Sequence, residues 1–571
     1  MYESRRRGVG ERRGGIFLPS NTFPGVINRV PKLTTTTVGG KPYTAPTREI
    51  WAWGIGALAC HLLIQTYGQA YSIFTLGFGL SPVLVSWCMM LPRILDGITD
   101  PFIGHLSDNT HTRWGRRKPY LVLGAVFGAL FLSAIWWANP AWNEKVQFAY
   151  LLVLCTLFYI TYGIYTMAWS AVGYELTDDY NERSKVQAVG SFFLALVSLT
   201  AGWMYWLALR KGFHDGVIAT VCSLFGAGFD YSKLSTILSR AFQDTVQGSS
   251  SEIWGMRWIA VGVGVLIILS ALVAAWGCRE RFTHTNRKHP PIGTAIKETL
   301  RNKPFVILQM VGIFQMFAQR LGVVGFLVFI GTYYVCGGDK GLATKVIGWG
   351  TTIGTVLVFG LLPLMKPISR WIGKKGALLA GTSILLIVAL IQPFALKPGH
   401  PWLLLAPQLI FTLLTPFCFT IINAIVPDIC DLDELQFGCR REGLFAAVGG
   451  LVAKMGISLS TLAMGYLLLW FGLGAKSIVA PSPGMLHRLN WIPVLLNIFF
   501  NLGALVFTLM FPMDEAAASE VRRQLDERRF AKAATGEPTD KVTEEFVHEH
   551  PREAAIFVQQ HPEVIEEASG K

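Results

Sequence analysis

Apolar stretches of roughly 20 residues recur along the chain from about residue 50 to about residue 512, separated by short polar connections. Each is long enough to cross a hydrocarbon core of about 30 Å as a helix. A backbone inside lipid has to satisfy its own hydrogen bonds, so stretches of this kind admit helices and exclude open sheets. About twelve are distinguishable on hydropathy, near 50–76, 81–106, 119–138, 147–172, 187–209, 256–277, 304–333, 344–365, 375–396, 401–425, 443–470 and 490–512. Composition agrees: the 571 residues are 52% hydrophobic and only 15% charged, where soluble domains carry about 25% charged residues. The expected fold class is an all-α integral membrane protein with twelve transmembrane helices in two six-helix halves.

The expected organisation is a basic N-terminal tail (1–48), a first half (49–278) with an outer loop near 210–255, a linker (279–303), a second half (304–512) and a charged tail (513–571). Adjacent prolines and mixed charges mark the linker. An internal echo supports the halves: YELTDDYNERSKV and PDICDLDELQFGCRREGLF each place an acidic cluster and a Glu/Arg pair before the next span. Two such repeats around a central site are common among secondary transporters. The outer loop contains FDYSKLSTILSRAFQDTV, whose apolar spacing predicts a small helix. The tail repeats FVHEHPREAA as FVQQHPEVIE and is expected to be a solvated extension.

Basic residues collect in alternate connections: Arg5, Arg6, Arg7, Arg12 and Arg13, then Arg113, Arg116, Arg117 and Lys118, then Arg279, Arg281, Arg287 and Lys288, then Lys366, Arg370, Lys374 and Lys375. The positive-inside rule puts these, and both termini, in the cytoplasm. Topology and anionic lipid therefore account for the +13 net charge. No nucleic-acid partner is expected, since no soluble domain is there to hold one. The basic tail delays the first apolar stretch by nearly 50 residues, which predicts a retained span rather than a cleaved signal. The cysteines show no metal-ligand spacing, and Cys222 and Cys336 fall on the same expected outer face.

The segment LPRILDGITDP puts Arg93, Asp96 and Asp100 in the middle of a span. Each charge at a bilayer centre costs about 2.5–3.5 kcal/mol on insertion scales. Positions three and four apart share a helix face, so the three form one stripe that has to look into the bundle. Two carboxylates and one guanidinium leave a negative charge for a cation. Carboxylate oxygens suit sodium, and a like-charge pair suits a proton carrier. A purely structural network is the competing reading. Gly104, Asp108, Arg113, Arg116 and Arg117 continue from this stripe as an expected cytoplasmic gate, with Glu182, Arg183, Arg441 and Glu442 at the echoed positions.

The run RILDGITDPFIGHLSDNTHTRWGRRKPY, with YELTDDYNER after the fourth span and DLDELQFGCRREGLF before the eleventh, resembles the glycoside–pentoside–hexuronide:cation symporters of the major facilitator superfamily. The likeness spans about 50–512 and neither tail. It implies cation binding by Asp96 and Asp100, with Arg93 and Lys454 as charge partners, in a bacterial inner membrane. It also marks departures. His61, Thr166 and Ser191 stand where melibiose permease, the typical member, has two aspartates and an arginine, so a galactoside set is missing. Thr166 remains a weaker cation ligand.

Phe158, Tyr162, Tyr165 and Trp169 recur on one face of the fourth span. With His61, Ser191 and the amides Gln65, Gln69, Gln315 and Asn423 they are candidates for a solute cavity, aromatic faces stacking on sugar rings. Packing against a neighbouring helix is the competing reading of the stripe. The expected activity is sodium- or proton-coupled symport of a sugar or glycoside by a monomer, without cofactor or covalent chemistry. Two rivals stand beside it: an amphiphile carrier, since the resemblance extends to lysophospholipid carriers, and a membrane sensor that no longer transports.

Overall fold

The structure is a computed structural model that describes residues 45–110, 112–177, 180–210, 251–279, 299–437, 441–473 and 482–535. These residues form helices throughout: α1 (Thr47–Gly68), α2 (Ala70–Leu76), α3 (Pro82–Asn109), α4 (Lys118–Ile135), α5 (Glu144–Glu175), α6 (Tyr180–Ala208) and α7 (Ser251–Gly277). The second series is α8 (Lys303–Leu321), α9 (Val323–Phe329), a π-helical turn (Ile330–Val335), α10 (Lys340–Ala395), α11 (Leu405–Phe437), α12 (Glu442–Phe471), α13 (Pro483–Met510) and α14 (Glu515–Thr535).

Local chemistry fixes several ends. Asn143, Asn302, Asp339 and Ser482 accept hydrogen bonds from the first-turn amides of α5, α8, α10 and α13, which satisfies donors that a helix start leaves bare. Gly472 ends α12 in the left-handed region at φ 100°, where only glycine avoids a Cβ clash. α10 turns sharply at Gly373, φ 72°, and the eighth and ninth expected spans are its two limbs.

Ten helical segments are long and apolar enough to cross a membrane. α1 and α3, with 22 and 28 residues, are also long enough. They miss that composition because α3 carries Arg93, Asp96 and Asp100 and α1 carries His61 and Gln65. The helices are consistent with the twelve expected crossings. The seventh is discontinuous: α8 stops at Gly322, whose backbone is extended (φ −82°, ψ −172°), and α9 restarts at once.

Residues 38–519 make one compact unit, and 1–37 with 520–571 another. Within the larger unit, α4 packs on α5, α1 on α6 and α7, and α3 on α5; in the second series α10 packs on α11 and α13, and α8 on α12 and α13. Two extensive crossings link the series, α3 with α12 and α6 with α10. Glycine sets how closely the second approaches: a Cβ on Gly202 would lie 2.9 Å from the Cα of Gly348, so small residues let these backbones touch. Of the smaller unit, 520–535 are described, the end of α14, where exposed Arg523 pairs with Glu520 and Glu527. The outer loop, Cys222 and the duplicated tail lie outside the described residues, and Cys336 forms no disulfide among them.

Candidate functional site

Asp96 and Asp100 sit one turn apart on α3, on the face opposite exposed Leu95, Ile98 and Phe102. That division of faces is what the stripe predicted: apolar outward, charged inward. The crossing with α12 then brings up Lys454. Gly97 faces the Lys454 stem, 3.6 Å from where its own Cβ would be, and this leaves room for the ammonium to reach the carboxylates. Lys454 Nζ donates to Asp96 Oδ2 at 2.7 Å and to Asp100 Oδ2. One cation from the second series therefore holds two anions of the first.

The other oxygen of each carboxylate, Oδ1, is buried without a hydrogen-bond partner. Both look toward α5 at Gly163, where a Cβ would come within 2.8 Å of Asp96 Oδ1 and 3.5 Å of Asp100 Oδ1. Two buried, unsatisfied anionic oxygens beside a bare glycine make a hard-donor recess of the sort small alkali cations and protons occupy. Thr166 lies one turn on; its hydroxyl donates within its own helix to the carbonyls of Tyr162 and Gly163.

Arg93 stays within electrostatic reach of Asp96 and places its hydrogen bond elsewhere. Its Nη1 reaches the hydroxyl of Tyr159 at 3.4 Å, while Asp96 is taken by Lys454. Spacing within α3 brought Arg93 and Asp96 onto one face; a helix from the other series decided the pairing.

The aromatic stripe divides. Phe158 and Tyr165 are fully buried, Phe158 stacked on Tyr67 of α1 and Tyr165 bonded through its hydroxyl to the Gly56 carbonyl at 2.7 Å. They are a seam between α1 and α5, which corrects the assignment of Tyr165 to a solute cavity. Trp169 stacks on Trp53 at 4.7 Å, each indole donating to the other's carbonyl, and His61 meets its edge. Trp169, Tyr162, His61 and Gln65 keep partial exposure, and Ser191 and Asn423 are exposed. Gln69 is spent on tying α1 to α6 through the Ala201 carbonyl, and Gln315 is buried.

Of the expected gate, Gly104 borders open space, Arg113 is exposed beside Trp114, Arg116 is half-buried and Arg117 is buried at the start of α4. Arg441 clamps Asp433 with two bonds of 2.8 and 2.9 Å. The side chains of Asp108, Glu182, Arg183 and Glu442 lie outside the described residues.

A second inter-series contact escaped the sequence entirely. Near the start of α10, Lys340 donates to Glu252 Oε1 of α7 at 2.8 Å and to the Leu76 carbonyl at 3.2 Å, while Tyr205 donates to Glu252 Oε2 at 2.8 Å. Glu252 is 1% exposed. With Lys340 29% exposed, the pair is buried on the Glu252 side alone, and it holds only while both partners remain. Glu252→Gln is expected to loosen this end: spin labels at Ser81 and Lys345, in a background without the native cysteines, should gain a longer-distance population. An unchanged distance distribution would show that the clasp closes nothing.

The sequence pattern of the MFS/sugar transport protein family matches residues 52–515. The chain is 24% identical to the isoprimeverose transporter of Lactiplantibacillus pentosus, over 82% of this chain and 89% of that one. It is 23% identical to the putative glycoside/cation symporter YagG of Escherichia coli, over 85% and 95%. Among solved structures it resembles a bacterial homologue of the human lysosomal transporter Spinster in an inward-facing conformation, with a TM-score of 0.55, 15% identity and coverage of 84% and 99%. The nucleoside transporter NupG is similar at a TM-score of 0.52, 11% identity and coverage of 82% and 100%. These likenesses establish the fold.

Proposed function

This chain belongs to the MFS/sugar transport protein family, and from that premise we propose that it is a cation-coupled symporter of a sugar or glycoside, driven by sodium or protons. It works by alternating access between two six-helix halves, 49–278 and 304–512, in a bacterial inner membrane with both termini cytoplasmic. Lys454 carries the reading: a cation from one half holds both carboxylates of the other, and each carboxylate keeps a buried, unpartnered oxygen.

That arrangement gives coupling a physical form. Without a coupling ion, the ammonium neutralises Asp96 and Asp100 and ties α3 to α12. A sodium ion or proton at the Oδ1 atoms competes for the same negative charge, so the tie weakens as the ion binds. A ligand shifts a two-state equilibrium only by its differential affinity for the states; here that difference resides in how strongly Lys454 is held. The solute then binds a form whose halves are free to rock. Glycoside relatives favour a sugar, and the partly exposed Tyr162, Trp169 and His61 offer stacking and hydrogen-bonding surface.

Uptake into vesicles bearing an imposed sodium or proton gradient tests this, with a panel of monosaccharides, glycosides and lysolipids. Accumulation of a sugar or glycoside under one of the gradients is the expected result. Accumulation confined to lysolipids would replace the sugar, and none under either gradient would remove the symport assignment.

A further inference from the structure

Arg93 and Asp96 stand one turn apart on α3, and each carries a polar atom that is buried without a hydrogen-bond partner: Nε of the guanidinium and Oδ1 of the carboxylate. The first is a donor and the second an acceptor. Residues three apart on a helix are neighbours, so a guanidinium turned onto Asp96 would satisfy both atoms. Buried groups left unpaired cost stability, and groups that can relieve each other generally do. Here they stay apart.

The surrounding charges do not explain the separation. Arg93 and Asp96 lie within electrostatic reach and attract. Lys454 meets Asp96 through Oδ2 and leaves Oδ1 open. Arg320 of α8 lies within reach of Arg93 from the other series, and its like charge offers no hold. What remains is Tyr159 of α5. Its hydroxyl accepts from Arg93 Nη1 at 3.4 Å, the one hydrogen bond of this guanidinium among the described residues. The tyrosine has a fixed place. It is 2% exposed, with its ring edge-on to Tyr67 at 5.1 Å and to Tyr162 at 6.1 Å, a T-shaped packing that orients the ring. It sits one turn before Gly163, the glycine that both Oδ1 atoms face.

We infer that Tyr159 is a positioning residue for the coupling ion: by holding Arg93 on its hydroxyl it keeps the guanidinium off Asp96 Oδ1 and leaves that oxygen to the ion. The inference rests on the symport reading and adds to it a residue that acts through another. With Arg93 closed on Asp96, the recess would be filled by the protein's own charge and the stripe would be a structural network. The tyrosine hydroxyl separates the two arrangements.

The test follows the melting temperature of the full chain across a sodium series at fixed pH and across a pH series without sodium, and reads the midpoint of each response. No solute is needed. Tyr159→Phe removes the hydroxyl and keeps the ring packing. Arg93 is then free to close on Asp96, and the midpoint is expected to move about tenfold toward higher sodium, or about one unit toward lower pH, the worth of one charge-assisted hydrogen bond. Adding Arg93→Gln should return the midpoint close to that of wild type, since the group Tyr159 restrains is gone. A tyrosine with a merely structural role would lower the melting temperature and leave the midpoint where it was. Arg93→Gln alone should move the midpoint far less than Tyr159→Phe does, because in wild type the guanidinium is already held off; this arm decides the matter should Tyr159→Phe not fold. An unmoved midpoint in Tyr159→Phe overturns the inference. So does the same shift from Tyr159→Phe with and without Arg93→Gln, or a tightening of about tenfold by Arg93→Gln alone. A wild type that responds to neither sodium nor acid removes the symport reading and this inference with it, whereas a responding wild type keeps that reading whatever the variants do.

Discussion

Asparagine at Asp96 or at Asp100 is expected to abolish accumulation: the solute ratio across the vesicle membrane should reach one and stay there, whichever ion drives the wild type. Asn keeps the volume and one oxygen, so packing against α5 and α12 is preserved while the charge that attracts the cation is lost. Hydrogen bonds to charged groups are worth about 1.5–3 kcal/mol, which translates to a loss of about 10- to 150-fold in cation affinity. Asp96 should suffer more, because its side chain is 3% exposed against 16% for Asp100. Lys454 retains one carboxylate in either variant, so no buried cation is stranded and both proteins should fold. Unimpaired melting with flat uptake would locate the defect in coupling; uphill accumulation retained by both variants would remove the two aspartates from the cation site.

The stripe of Arg93, Asp96 and Asp100 could be read from the sequence because it is local. Helical geometry fixes which residues three and four apart share a face, and the cost of charge in lipid fixes that the face turns inward. The same logic gave the spans, since a hydrophobic stretch long enough to cross a bilayer has few alternatives. Partners from distant helices were not so accessible. Lys454 entered through the family resemblance alone; nothing in the spacing of residues 358 apart announces an ion pair. Glu252 and Lys340 sit at helix ends, where a charge looks like ordinary interfacial chemistry, and their contact depends on how two helices meet.

Tyr165 shows the complementary difficulty. Periodicity placed Tyr165 on a face and could not say whether α1 or a cavity lay opposite. Once the backbones are in place, its hydroxyl on the Gly56 carbonyl settles the matter.

Lys454→Met is expected to produce a protein whose stability depends on the coupling ion. Methionine preserves the stem that lies against Gly97 and removes the ammonium, so both carboxylates lose their partner at once. Breaking a buried pair by deleting one member costs about 3–5 kcal/mol; with the Lys454 side chain 27% exposed, the lower end applies. Arg93, on the same face of α3, recovers part of that. A bound cation repairs the rest: an ion present at about one hundred times its dissociation constant adds about 2.7 kcal/mol. The variant should therefore melt well below wild type in ion-free buffer and recover most of the difference when the coupling ion is added, a larger rise than wild type shows, because in wild type the ion has to displace an ammonium. The ion that produces the recovery, sodium or proton, identifies the driving gradient without any knowledge of the solute. Adding Asp100→Asn to Lys454→Met should restore melting in ion-free buffer and shrink the ion response, since a single carboxylate near Arg93 no longer needs it. If Lys454→Met melts like wild type with or without either ion, the contact seen between α3 and α12 carries no energetic weight, and coupling has to be sought elsewhere along the crossing.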